Sequence, residues 1–180
     1  SIVFVFRAAT GAKFLFFHTE DFLSTPEMHP KTFVQSIPLY DCMLTATSEN
    51  ISEYKHYGAT RVEFLPFAFD PVDHCLHELA AEDYDIYGSD LAFVGKWWYE
   101  RSAILEGLVE SCQINIWGGG WEMLSSRSPL RPSVKDRLVL GSDMSKVFRA
   151  SKISLNNLTR KPNRHGHLMR TFEIPACGGF

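Results

Sequence analysis

Short, nearly continuous apolar runs recur at 2–6, 13–17, 41–46, 62–67, 91–94, 114–117, 138–140 and 153–156, with amphipathic or polar stretches between them. A strand buried on both faces has no polar side to alternate with, so it reads as an unbroken apolar run. Such runs alternating with helical stretches predict repeated βα units, an α/β fold around mostly parallel sheets. Helix signals fall between the runs. Ser48 is placed to cap a helix that Gly58 closes, and 100–110 puts Ile104, Leu105 and Leu108 on one face. Ser142-Asp143 opens a third helix with Met144, Val147 and Phe148 turned inward. A fourth is expected over 167–176, where Pro175 is tolerated because it sits near the end.

Between Asp70 and Asp90 the pattern gives way to acidic and polar residues without a strand signal, and a domain boundary is expected there. Residues 1–72 read as the C-terminal part of one Rossmann-like domain, 73–89 as a linker, and 90–180 as a second such domain lacking its C-terminal end. Both ends read as cut from inside a fold: Ser1-Ile2-Val3-Phe4 is already strand-like, and Phe180 follows a glycine pair.

The chain is 45% hydrophobic and carries a formal charge of -3, which provides for a packed core and excludes the basic face of a duplex-DNA binder. No apolar stretch approaches the roughly 18 residues of a spanning helix, and the N-terminus lacks the order of a signal peptide. Cys42, Cys75, Cys112 and Cys177 form no CxxC pair, so free thiols and a reducing compartment are expected. A soluble cytoplasmic protein is expected, with no membrane span and no nucleic-acid partner.

The stretch Thr159-Arg160-Lys161-Pro162-Asn163-Arg164-His165-Gly166-His167 comes after the last apolar run and precedes a helix. Ligands of open α/β sheets sit beyond the carboxyl ends of the strands, where helix N–H groups and arginines hold a diphosphate. A solvated basic loop is the alternative. Glu173 lies within that helix among Phe172, Ile174, Pro175 and Ala176, and a carboxylate there needs a partner. Two ribose hydroxyls would serve, and so would a salt bridge to Arg170 or Arg164.

Trp117-Gly118-Gly119-Gly120-Trp121 comes directly after a strand, so its glycines admit a close backbone approach and its tryptophans offer stacking surfaces, unless it is a plain turn. It is neither a P-loop nor a GxGxxG motif. Gly95, Lys96 and Arg101 would sit at a cleft edge after strand 91–94. His74-Cys75-Leu76-His77 lacks a second cluster at metal-ligand spacing, so no metal is expected. His18, with Glu20 and Asp21, stands after a strand and reads as a general base, a hydroxyl-orienting group or a loop cap. There is no GxSxG elbow and no nucleophilic cysteine motif.

The ordered set Thr45-Ala46-Thr47-Ser48, Val62-Glu63-Phe64-Leu65-Pro66-Phe67, Phe93-Val94-Gly95, Trp117-Gly118-Gly119-Gly120-Trp121 and Arg170-Thr171-Phe172-Glu173-Ile174-Pro175-Ala176-Cys177-Gly178-Gly179-Phe180 resembles GT-B glycosyltransferases of group 1, and is most similar to their CgeB-like branch, named after a spore maturation protein. The resemblance implies two Rossmann-like domains, the second holding a nucleotide sugar. Group 1 enzymes commonly carry two glutamates eight positions apart, the second before Ala-Cys-Gly. Glu173 matches the second, while His165 stands where the first is expected, and an imidazole does not replace a carboxylate as a hydroxyl acceptor. His18 matches a cleft-facing histidine of the N-terminal domain.

The activity implied by the resemblance is metal-independent transfer of a sugar from a UDP- or GDP-linked donor, a substrate and not a cofactor, to a saccharide or other hydroxyl acceptor. His18 and Glu173 are the catalytic candidates. Gly95, Arg101, Gly118, Arg164, His165, Glu173, Gly178 and Gly179 are the donor-binding ones. The alternatives are a nonenzymatic nucleotide- or carbohydrate-binding domain and a GT-B-fold nucleotide-sugar epimerase.

Overall fold

The structure, a computed structural model, describes residues 9–19, 30–156 and 167–180. The expected strand at 2–6 lies outside them, as does nearly all of the basic loop, including Arg164 and His165. The described residues divide into two compact units, one running to Phe67 and the other starting at Ala68.

In the first unit β1 (Leu15–His18), α1 (Lys31–Ser36), β2 (Cys42–Thr45), α2 (Asn50–His56) and β3 (Val62–Phe64) build a three-stranded parallel sheet in the order β1-β2-β3. Met43 and Val62 from the sheet meet Ile37, Tyr54 and Ala59 in one buried cluster. Helix α2 starts without a side-chain cap, because the Ser48 hydroxyl donates to the Glu49 carboxylate at 3.0 Å.

The second unit holds α3 (Ala81–Tyr87), β4 (Leu91–Val94), α4 (Tyr99–Glu106), β5 (Ile114–Trp117), α5 (Gly141–Ala150), β6 (Ile153–Ser154) and α6 (Arg170–Ala176). Its parallel sheet has the order β5-β4-β6, and β4 and β5 are buried along their whole length. Successive side chains of a strand point to opposite faces, and the core divides accordingly. Ala92, Val94 and Trp117 pack with Met144, Val147, Phe148, Ile174 and Cys177 of α5 and the α6 region, whereas Leu91, Phe93, Ile114 and Ile116 pack with Leu105, Trp121 and Leu130. Apolar layers cover both faces of this Rossmann-like sheet, which is why its strands carry no alternation.

The structure departs from the expectations in particular places. Residues 138–140 are no strand: the chain meets β5 earlier, by a bridge between Val134 and Ile116, and only Val139 turns into the core while Leu138 and Leu140 stay exposed. Leu105 is buried and Leu108 packs against the core as expected, but Ile104 is exposed and Ser102 takes the inward place. Of the stretch 73–89 expected as a linker, 81–87 form α3, which is tied to α5 by a 2.9 Å ion pair between Asp83 and Lys146. Gly88 also accepts a hydrogen bond from the Asn115 amide of β5 at 2.9 Å. Among the described residues no helix is long and apolar enough to cross a membrane.

Candidate functional site

The C-terminal ends of β4 and β5 are held together by their loops. Gly118 has φ +135°, and a Cβ on it would lie 2.3 Å from the Gly95 carbonyl oxygen, so only glycine lets the two backbones touch. The Gly95 N–H donates to the Trp117 carbonyl at 2.9 Å. Trp121 donates its indole N–H to the Gly95 carbonyl at 2.9 Å. Both tryptophans of this loop are buried core residues, so the stacking surfaces expected of them are absent. The close approach expected at the glycines is one of backbone to backbone.

Two guanidiniums meet beside this edge. Arg101, on α4, lies over the Phe93 ring and donates to the Lys96 carbonyl at 2.7 Å. Its Nε is buried without a hydrogen-bond partner among the described residues. Burial lowers the Arg101 pKa from the usual arginine value. Arg170, at the start of α6, donates Nε–H to the Val94 carbonyl at 3.3 Å and lies over Phe148. Burial is the main cause of its lowered pKa; the Cys177 thiol opposes the shift, and the neighbouring positive charge of Arg101 adds to it.

Glu173 is 1% exposed and sits one turn on from Arg170. Arg170 binds its Oε2, so the salt bridge open from spacing is formed. Its Oε1 faces His74 Nε2 at 3.6 Å. Nearby, Asn156 donates its amide to the Thr171 hydroxyl at 3.0 Å while its Oδ1 is buried without a partner among the described residues. No sequence motif singles out Asn156, and His74 stands out in the sequence only as a metal ligand without companions. Neither position has a local pattern that announces its partner, because both contacts are made across the fold.

Arg170 thus pairs with Glu173 and feels the positive charge of Arg101, while Gly95 lies beside Arg101 and Gly118 against Gly95. Gly178 and Gly179 lie elsewhere, at the far end of α6. Their N–H groups close that helix on the Pro175 and Ile174 carbonyls at 3.0 Å each, and Gly178 has the positive φ, +75°, of a helix C-terminus. A Cβ on Gly179 would lie 2.9 Å from the Phe148 carbonyl oxygen. In the first unit His18 is 8% exposed, its Nδ1 hydrogen-bonded to the Tyr54 hydroxyl and its ring packed against Phe33. That is the surrounding of a core histidine more than of an open base. Among the described residues no group of three or more His, Cys, Asp or Glu side chains is arranged to hold a metal ion.

A family model described as glycosyl transferase-like matches residues 76–180, more than half of the chain and nearly all of the second unit. The chain belongs to this glycosyl transferase-like family. Glycosyl transfer is therefore its general activity, and the matched segment of this glycosyl transferase-like chain contains Gly95, Arg101, Gly118, Arg170 and Glu173. No curated protein matches it.

Proposed function

We propose that this glycosyl transferase-like protein moves a sugar from a UDP- or GDP-linked donor to a hydroxyl acceptor, without a bound metal, and that the second unit binds the donor. One observation carries the reading: two guanidiniums are neighbours, Glu173 pairs with Arg170, and Arg101 Nε is buried without an acceptor among the described residues. A diphosphate supplies the missing acceptors and negative charge, and charge-assisted bonds to arginine are the strong ones. During transfer the bond between the anomeric carbon and the β-phosphate oxygen breaks and a bond to the acceptor oxygen forms. The departing diphosphate gains charge, which the two arginines stabilise in place of a metal ion.

Glu173 in this reading accepts hydrogen bonds from donor hydroxyls, and His18 remains the candidate base for the acceptor proton. The ordered set of motifs at 93–95, 117–121 and 170–180 is the support for the CgeB-like branch, and four free thiols support a cytoplasmic location. The near-complete burial of Glu173 favours one rival, a binding domain without turnover, because its carboxylate already has protein partners.

The test is calorimetry with UDP-, GDP- and other nucleotide sugars, with free nucleotide release monitored in parallel. Glu173→Ala should weaken binding at least about tenfold, the scale of a hydrogen bond to a charged group. Unchanged affinity ends the assignment of Glu173. Release of nucleotide supports transfer or hydrolysis, and binding without release supports the rival.

A further inference from the structure

We propose that His74 is a positioning residue for Glu173, fixing the side of the carboxylate that Arg170 leaves open. This rests on the reading of Glu173 as a donor-binding residue and extends it by one side chain. His74 lies before the segment that the family model matches, so that match assigns it nothing.

Both side chains are buried, His74 at 8% and Glu173 at 1% exposure. The imidazole Nδ1 accepts the backbone N–H of Asp70 at 3.1 Å. A neutral ring that accepts at Nδ1 carries its proton on Nε2, the nitrogen that faces Glu173 Oε1 at 3.6 Å. At that distance the contact is electrostatic, and an approach of about half an ångström makes it a hydrogen bond. With Oε2 held by Arg170, the carboxylate is gripped from two elements, and its plane is set by both.

The turn that carries His74 is itself anchored. The His74 N–H donates to the Asp70 carbonyl at 2.8 Å, and the Asp70 carboxylate accepts the Val72 N–H at 2.8 Å. Ser145 of α5 donates its hydroxyl to the Asp73 carbonyl at 2.7 Å. The ring therefore has a fixed place from which to direct Glu173, and a carboxylate that must meet donor hydroxyls benefits from a locked rotamer. Removing the imidazole leaves Oε1 buried and free to turn away.

The experiment measures UDP and GDP affinity by calorimetry for the unsubstituted protein, His74→Ala, His74→Gln, Glu173→Ala and the His74→Ala/Glu173→Ala double variant. His74→Ala should weaken the tighter-binding nucleotide by roughly three- to tenfold, within the coupling seen between contacting residues. His74→Gln, whose amide N–H reaches near the Nε2 position, should recover most of that loss. The double variant should bind no more weakly than Glu173→Ala alone. Unchanged affinity in His74→Ala, no recovery with glutamine, or a loss that persists without Glu173 overturns the positioning role. If Glu173→Ala binds like the unsubstituted protein, or neither nucleotide binds at all, the donor reading has failed and this proposal falls with it. Should His74→Ala lose its cooperative melt, His74→Asn, whose amide is too short to reach Oε1, replaces it under the same criteria.

Discussion

Arg170 serves three partners at once: the Val94 carbonyl, the Phe148 ring and the Glu173 carboxylate. Its loss leaves a buried carboxylate facing one imidazole, and breaking a buried pair costs more than the pair contributes. Arg170→Met is expected to destabilise the protein by about 3 kcal/mol, the lower end for such changes, since Arg170 itself is partly exposed. Urea denaturation measures it. Adding Glu173→Gln should return part of the loss, because the uncompensated charge is then gone. This pair was legible in the sequence as one of three options for Glu173, since the spacing of three places Arg170 on the same helix face. His74 was not, because only the fold brings its turn against α6.

At the scale of elements, α3 was unforeseen. It is short and acidic, and its residues 81–87 carry no strong apolar period. What holds it is tertiary: Tyr87 enters the core of the second sheet, and Asp83 is bound by Lys146 of α5 and by the Ala80 N–H at 3.0 Å. The Lys146 hydrogen bond first, and the Ala80 bond second, hold the Asp83 carboxyl below its usual range. A carboxyl whose pKa is depressed by folding contributes stability that is present above its unfolded value, near 4, and lost as pH falls through the folded one. Asp83→Asn should therefore be less stable than the unsubstituted protein at neutral pH, with the gap closing as pH falls below about 4. Urea midpoints at pH 7 and pH 3 check this. The elements that were legible, β4 and β5, have the residue bounds expected, because continuous burial writes itself as a continuous apolar run. The run 138–140 is as apolar but pairs with no strand among the described residues, and Leu138 and Leu140 stay exposed.

On the scale of the whole molecule, the proposed donor site belongs to the second unit alone. Hydrogen exchange with saturating UDP or GDP should slow amides at 94–101 and 170–173 and leave β1, β2 and β3 as they were. Protection confined to the first unit would contradict the donor assignment. The sequence by itself determined the α/β class, the parallel strands and the presence of a carboxylate in need of a partner, because apolar runs, helix signals and buried charge are local properties. Only the tertiary structure decided that Gly178 and Gly179 close a helix, that Gly95 and Gly118 touch each other, and that Glu173 is held between Arg170 and His74. The reason is physical: a contact between distant segments depends on how the sheet and its helices pack, and neither side chain records the other in its own neighbourhood.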